Sequence, residues 1–135
     1  MVPDEGEVEI AKRALYANAG SENLTLKLYT ALSPALSEST IAADFTEATF
    51  TGYSAKTLTS SQSGATWAVP TTSEGITSST YGTNQSWTAS SSQTVLGYYI
   101  VGATSNKVYY AEAFAAGKAL SSGDIITITV KITWD

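Results

Sequence analysis

The sequence predicts an all-β fold: a jelly-roll-like antiparallel β-sandwich of about eight strands with a short N-terminal helix. Three observations lead there. Residues 125–134 alternate, with Ile126, Ile128, Val130, Ile132 and Trp134 on one side and Thr127, Thr129, Lys131 and Thr133 on the other. That is a strand with one dry face and one wet face. Ser and Thr exceed a quarter of the 135 residues while charged residues make up only 14%, a composition that suits pleated surfaces better than a helical bundle. Short apolar runs recur between Gly, Ser, Asn and Pro turn signals, and no second helix separates them as a βαβ unit would require. A few long connections suit the crossings of a two-sheet jelly roll.

The chain opens with its one helical segment, VPDEGEVEIAKRALYANAG. Pro3 suits the first helical position, Asp4 and Glu5 sit where the helix dipole favours anions, Lys12 and Arg13 lie toward the other end, and Gly20 closes it. Ile10, Ala11, Ala14 and Leu15 share one arc with Val8 at its edge, although Glu7 falls in that arc and Gly6 weakens the first turn. The division expected is a helical arm, residues 1–20, and a sandwich domain, residues 21–135. The arm either plugs an open end of the β-domain or docks on a partner.

Residues 23–31 alternate Leu24, Leu26 and Leu28 against Thr25, Lys27 and Tyr29, which reads as a strand. Residues 32–45 contain Pro34 and many small side chains and are long for a connection, so they form either a packed surface loop or a contact element. Residues 54–60 and 66–69 are short strands, the second stopped by Pro70. Residues 76–81 and 85–89 follow, divided by Gly82-Thr83-Asn84, and the serines at 90–92 mark another turn. Residues 94–101, apolar on both parities, and the aromatic-rich residues 108–114 read as central strands covered on both faces. Residues 102–106 join them as a hairpin, and Ser122-Gly123-Asp124 turns the chain into residues 125–134. Three consecutive antiparallel strands would then anchor one sheet.

The chain contains no Cys and no His. The first absence removes disulfides and thiolate chemistry. The second removes the usual zinc sites and the usual general base for a Ser or Cys nucleophile. Most hydrolase readings end there, and no catalytic, cofactor-binding or metal-ligating residues are assigned. Asp44 and Glu47 are the carboxylate pair considered for glycoside hydrolysis, which needs two carboxyl groups across a cleft; the plainer reading is solvated loop acids. Glu112 shares parity with Val108, Tyr110 and Phe114, which predicts partial burial beside a hydrogen-bond or cationic partner. A net charge of −5 without a Lys/Arg cluster argues against a nucleic-acid partner. No run approaches the ~20 apolar residues that span a bilayer, so no membrane partner is expected. Of the aromatic residues, Trp87 and Trp134 are expected to be buried and Trp67, just before Pro70, to be exposed.

The order ENLTLKLYT, DFTEATFTGYSAKTLT, a single Trp strand, STYGTNQSWTAS, TVLGYYIV, VYYAEAF and SGDIITITVKITW resembles small virion proteins of tailed bacteriophages. These are structural proteins of the head surface, of the cement or decoration type, with some relatives among tail or fibre components. The resemblance runs from Pro3 onward, rests on pattern, and supplies no functional residues to carry over. It implies a non-enzymatic β-sandwich on the outer surface of the capsid in the virion, bound to the major capsid protein and associated with itself as an oligomer, often a trimer. Its role would be to cement neighbouring capsid subunits. The alternatives are a tail fibre or tailspike adaptor and a carbohydrate- or receptor-binding sandwich module. Candidate contact residues come from the elements least needed to complete the sandwich. They are Val8, Ile10 and Leu15 on the helix, Leu32, Leu36, Ile41 and Phe45 in the long loop, and Trp67. Lattice binding calls for an apolar patch ringed by polar groups, whereas glycan binding calls for exposed coplanar aromatic rings.

Overall fold

The structure, a computed structural model, describes residues 1–15, 22–60 and 66–134, with the side chains of residues 11–15 outside the description. Helix α1 (Asp4–Leu15) is followed by β1 (Leu24–Leu32), β2 (Phe45–Glu47), β3 (Lys56–Leu58), β4 (Thr71–Ser73) and β5 (Ile76–Thr80). Then come β6 (Gln85–Thr88), β7 (Gln93–Gly102), β8 (Val108–Leu120), β9 (Ile125–Ile128) and β10 (Lys131–Trp134). Every ladder is antiparallel. The fold is all-β and sandwich-like with a short N-terminal helix, as the composition and alternation predict.

One layer is the sheet β2-β1-β7-β8, in which β3 shares the outer edge of β1 with β2. β2 pairs with the Tyr29 end of β1 and β3 with the Leu24 end. The alternate leucines of β1 explain its place: Leu26 and Leu28 are fully buried, opposite Ile100 and Tyr98 of β7. The facing layer consists of two short sheets, β10-β5-β4 and β6-β9. Its Trp87, Ile126, Ile128, Val130 and Ile132 meet Leu24, Leu26, Leu28 and Ile100 in the main core.

Residues 125–134 present the expected face but not the expected pairing. Ile126, Ile128, Val130 and Ile132 are all buried and the threonines between them are not. The segment nevertheless breaks at Thr129-Val130, with β9 pairing with β6 and β10 with β5. β9 does not extend the β7–β8 hairpin, because the turn at Gly123, with φ of +95°, delivers the chain to the opposite layer. The three-strand anchor therefore reduces to a hairpin, and β8 is an edge strand rather than a central one. The strand total among the described residues is ten rather than about eight. Residues 66–69 form only a bridge between Trp67 and Tyr81, while the split of the last segment and the three-residue strands β2 and β4 add to the count.

A second core lies on the outer face of the large sheet. Tyr29, Phe45, Tyr99, Val101, Val108 and Ala111 gather there, and Leu32, Leu36 and Ala42 pack over them. Phe45 stacks on Tyr99 with ring centroids 4.2 Å apart and 3° between planes. The long loop, residues 33–44, is thus the cover of this core, tied to the helix by the Asp4 N–H donating to the Glu38 carbonyl at 2.9 Å.

Helix α1 docks through Pro3 and Gly6, which are buried, and Ile10, which is half-buried. Of the arc that the wheel predicts, Ile10 at one edge faces the sheet while Val8 at the other faces solvent, 51% exposed. Gly6 decides this. A Cβ there would lie 2.5 Å from the Val108 carbonyl oxygen, so the position that weakens the first turn is the one that lets the helix touch β8. Gly20 and the residues around it lie outside the described residues.

Candidate functional site

An apolar cavity of about 360 Å³ opens between the helix and the facing layer. Ile10 contributes from α1, Leu24 from β1, Tyr109 from β8, and Ile132 and Trp134 from β10. The segment Trp67, Ala68, Val69, Pro70 forms the remaining wall. That wall is held by three contacts. The Ala68 N–H donates to the Thr80 carbonyl at 2.9 Å, the buried Ser79 hydroxyl donates to the Ala68 carbonyl at 2.7 Å, and Trp67 meets Tyr81 edge-on at 5.1 Å. Pro70 cannot donate to a ladder, which helps keep the segment a rim rather than a strand. Val69 stands at that rim, 77% exposed, and the exposed Thr71, Thr72 and Ser73 continue from it. The indole N–H of Trp134 is buried without a hydrogen-bond partner. An unpaired buried donor is a net cost to the fold.

Two of the candidate contact residues, Ile10 and Trp67, are brought together here. Trp67 is half-buried rather than exposed because Tyr81 covers one side of it. Trp134 is also only half-buried, on the cavity wall. Trp87 is buried as expected, its indole N–H donating to the Ser54 carbonyl at 2.6 Å. Val8 is exposed on the helix, and the Leu15 side chain lies outside the described residues. Phe45 is buried against Tyr99, while Leu32 and Leu36 are half-buried over the same core. Ile41 is 45% exposed and lines a separate shallow depression with Glu5 and Lys107.

The acids are engaged in the fold. Asp44 accepts the Ile41 N–H at 2.9 Å. Glu47 accepts from Lys27 at 2.9 Å and from the Tyr53 hydroxyl at 2.8 Å, and burial together with this carboxylate pushes the Tyr53 phenol well above its usual range. Glu112 has the hydrogen-bond partners expected, the hydroxyls of Tyr98 at 2.8 Å and Tyr110 at 3.2 Å, but it is exposed rather than partly buried. Among the described residues, no group of three or more His, Cys, Asp and Glu side chains could hold a metal ion, and no helix is long and apolar enough to cross a membrane.

Glu22 was not singled out by the sequence, yet it organises the β7–β8 turn. It accepts from the backbone N–H groups of Thr104 and Ser105, at 2.7 and 3.0 Å, and from the hydroxyls of Ser105 and Tyr109, at 2.7 and 3.1 Å. Burial raises its pKa, but the hydrogen bonds from Ser105, Thr104 and Tyr109 outweigh that and leave it below its ordinary value of 4.5. A depressed folded-state pKa contributes stability that is fully present above the unfolded value and is lost as pH falls through the folded value. Glu22→Gln is therefore expected to lower the melting midpoint at neutral pH and to approach wild type in strong acid. A gap between the two proteins that stays constant down the acid range, in thermal melts, would contradict this assignment.

The parallel aromatic pairs, Phe45–Tyr99 and Tyr53–Trp87, each have a buried member, and Trp67 meets Tyr81 at 69°. Neither arrangement is an exposed coplanar platform. Comparison with known proteins finds no matching family model and no matching curated protein.

Proposed function

We propose that this chain is a non-enzymatic structural protein of a tailed-phage virion that decorates the outside of the capsid as a trimer and cements neighbouring subunits of the major capsid protein. The observation that carries the reading is the apolar cavity mouth, with Val69 exposed beside Trp67 and Pro70 and the polar residues of β4 bordering it. An apolar patch rimmed by polar groups is what a protein bound to another protein's surface needs. The virion setting rests on the resemblance of the segment order to small virion proteins of tailed bacteriophages. A ligand that binds the closed lattice and not separated subunits stabilises the closed state by an amount that grows with the logarithm of its concentration relative to its Kd. Three linked copies add avidity, because the second and third contacts form at high effective concentration.

The test is the temperature at which DNA escapes from particles stripped of the protein and from particles re-saturated with it. Re-saturated particles should hold their DNA to a higher temperature, and Val69→Asp should bind them weakly while remaining folded. Equal release temperatures at full occupancy would overturn cementing and leave a display or receptor-binding role. Full binding by Val69→Asp would remove the cavity mouth from the contact.

A further inference from the structure

No strand among the described residues pairs with the outer edge of β8. Where β8 begins, the N-terminal segment covers that edge instead. Met1 exchanges two hydrogen bonds with the Ala111 backbone, both 3.0 Å, and the Val108 N–H donates to one oxygen of the Glu5 carboxylate at 2.7 Å. The other oxygen of Glu5 accepts from the Lys107 ammonium at 3.1 Å, and the Asp4 N–H donates to the Glu38 carbonyl. Ile10 then forms one wall of the apolar cavity, beside Leu24, Tyr109, Ile132 and Trp134.

Little apolar surface holds this cover down. Of residues 1–10 only Pro3 and Gly6 are buried, Val2 and Ile10 are half-buried, and Gly6 has no side chain to pack. Attachment therefore rests chiefly on hydrogen bonds to β8 and to the turn before it. Elements secured in this way open at a lower free energy than a core strand. β7 is the contrast: it is paired with β1 on one side and β8 on the other, and Tyr98, Ile100 and Val101 are buried, so it opens only when the sandwich does. At Glu22 and Asn23 the chain is tied to the same turn, Glu22 through the N–H groups of Thr104 and Ser105 and Asn23 through the Ala103 N–H at 2.9 Å. An opening that begins at Met1 is stopped there.

We propose that residues 1–10 are a lid, latched by Glu5, that opens as a unit while the sandwich stays folded. Closed, it satisfies the backbone of Val108 and Ala111 and shields one side of the cavity. Open, it leaves two N–H groups and one carbonyl unpaired on a strand edge, next to the apolar wall of Leu24, Tyr109 and Ile132. An unpaired edge is a template for pairing with other chains, and the closed lid withholds it.

Amide hydrogen exchange in the free, full-length protein tests this, because the Val108 and Ala111 amides report the lid while the Ile100 amide, in β7, reports the whole fold. Val108 and Ala111 should share one protection factor, about a hundredfold or more below that of Ile100. Glu5→Ala removes the latch without touching Ala111, and it should speed exchange at Ala111 as well as Val108 by about tenfold or more, the effect of losing one hydrogen bond to a charged group. Gly6→Ala should act in the same direction although alanine is the better helix former, because its Cβ would lie 2.5 Å from the Val108 carbonyl oxygen and lift the segment off β8. Equal protection of Val108, Ala111 and Ile100 would overturn the lid. So would acceleration by Glu5→Ala that is confined to Val108 or that reaches Ile100 equally, or a Gly6→Ala protein in which both reporters are unchanged. None of these readouts involves particles, so they stand or fall apart from the cementing role.

Discussion

Ile128→Asp leaves the chain unfolded, whereas Thr129→Asp, the adjacent substitution, folds and melts close to wild type. Ile128 is 6% exposed and belongs to the cluster that includes Leu26, Val95 and Ile100 in the main core. A carboxylate there loses its hydration and gains no partner, a cost of several kcal/mol in addition to the apolar contacts removed. Domains of this size are stable by about 5–15 kcal/mol, so one such substitution consumes a large share of the total. Thr129 faces solvent, and its hydroxyl donates to the Asn84 side chain at 2.9 Å. Losing that one bond at the surface costs about 1 kcal/mol. Circular dichroism melts decide the matter: similar behaviour from the two variants would mean the inward face of β9 is misassigned.

Gly97→Val is expected to be the second most damaging change, lowering the melting midpoint by roughly 10 °C or more. Gly97 sits mid-strand in β7, opposite Tyr29 of β1 on one side and Ala113 of β8 on the other. A Cβ at this position would overlap the Glu112 carbonyl oxygen and the ring and hydroxyl of Tyr29. Those atoms cannot step aside cheaply, because the carbonyl belongs to a paired strand and Tyr29, 2% exposed, is packed against Phe45 and Tyr99. Gly82→Ala is the control, since a Cβ there meets only the Thr66 carbonyl, at an ordinary 3.4 Å. Comparable melting of Gly97→Val and Gly82→Ala would refute the close packing of Tyr29 over β7.

These two cases mark where the sequence is informative and where it stops. Alternation from Ile126 to Ile132 identifies the inward face correctly, because a period of two is a property of the strand itself. It cannot identify the partner, and the exchange from β6 to β5 at Thr129 leaves no trace in that period. β2 and β4 are shorter than two repeats, too short for a pattern to be read. Gly6 reads locally as a weak point and Gly97 as an unmarked strand position, yet each marks a close approach by residues distant in sequence. Glu22 is invisible for the same reason, since its donors at Thr104 and Ser105 are 82 and 83 residues away. Ile10 and Trp67 were recognised separately as contact candidates. Their shared cavity with Trp134 becomes visible only once β10 crosses beside Trp67's segment. Phe45 misled because it follows a loop, whereas its ring lies inside.

The placement of the three tryptophans gives the molecule separate optical reporters. Trp67 and Trp134 line the cavity, while Trp87 is sealed in the core with its indole N–H bonded to Ser54 and the Lys56 ammonium 5.4 Å from its ring centroid. Intrinsic emission from the first two responds to whatever fills the cavity, and emission from the third responds to opening of the interior. With Phe in place of Trp67 and Trp134, the remaining fluorescence follows unfolding alone; with Phe in place of Trp87, it follows occupancy without any attached dye.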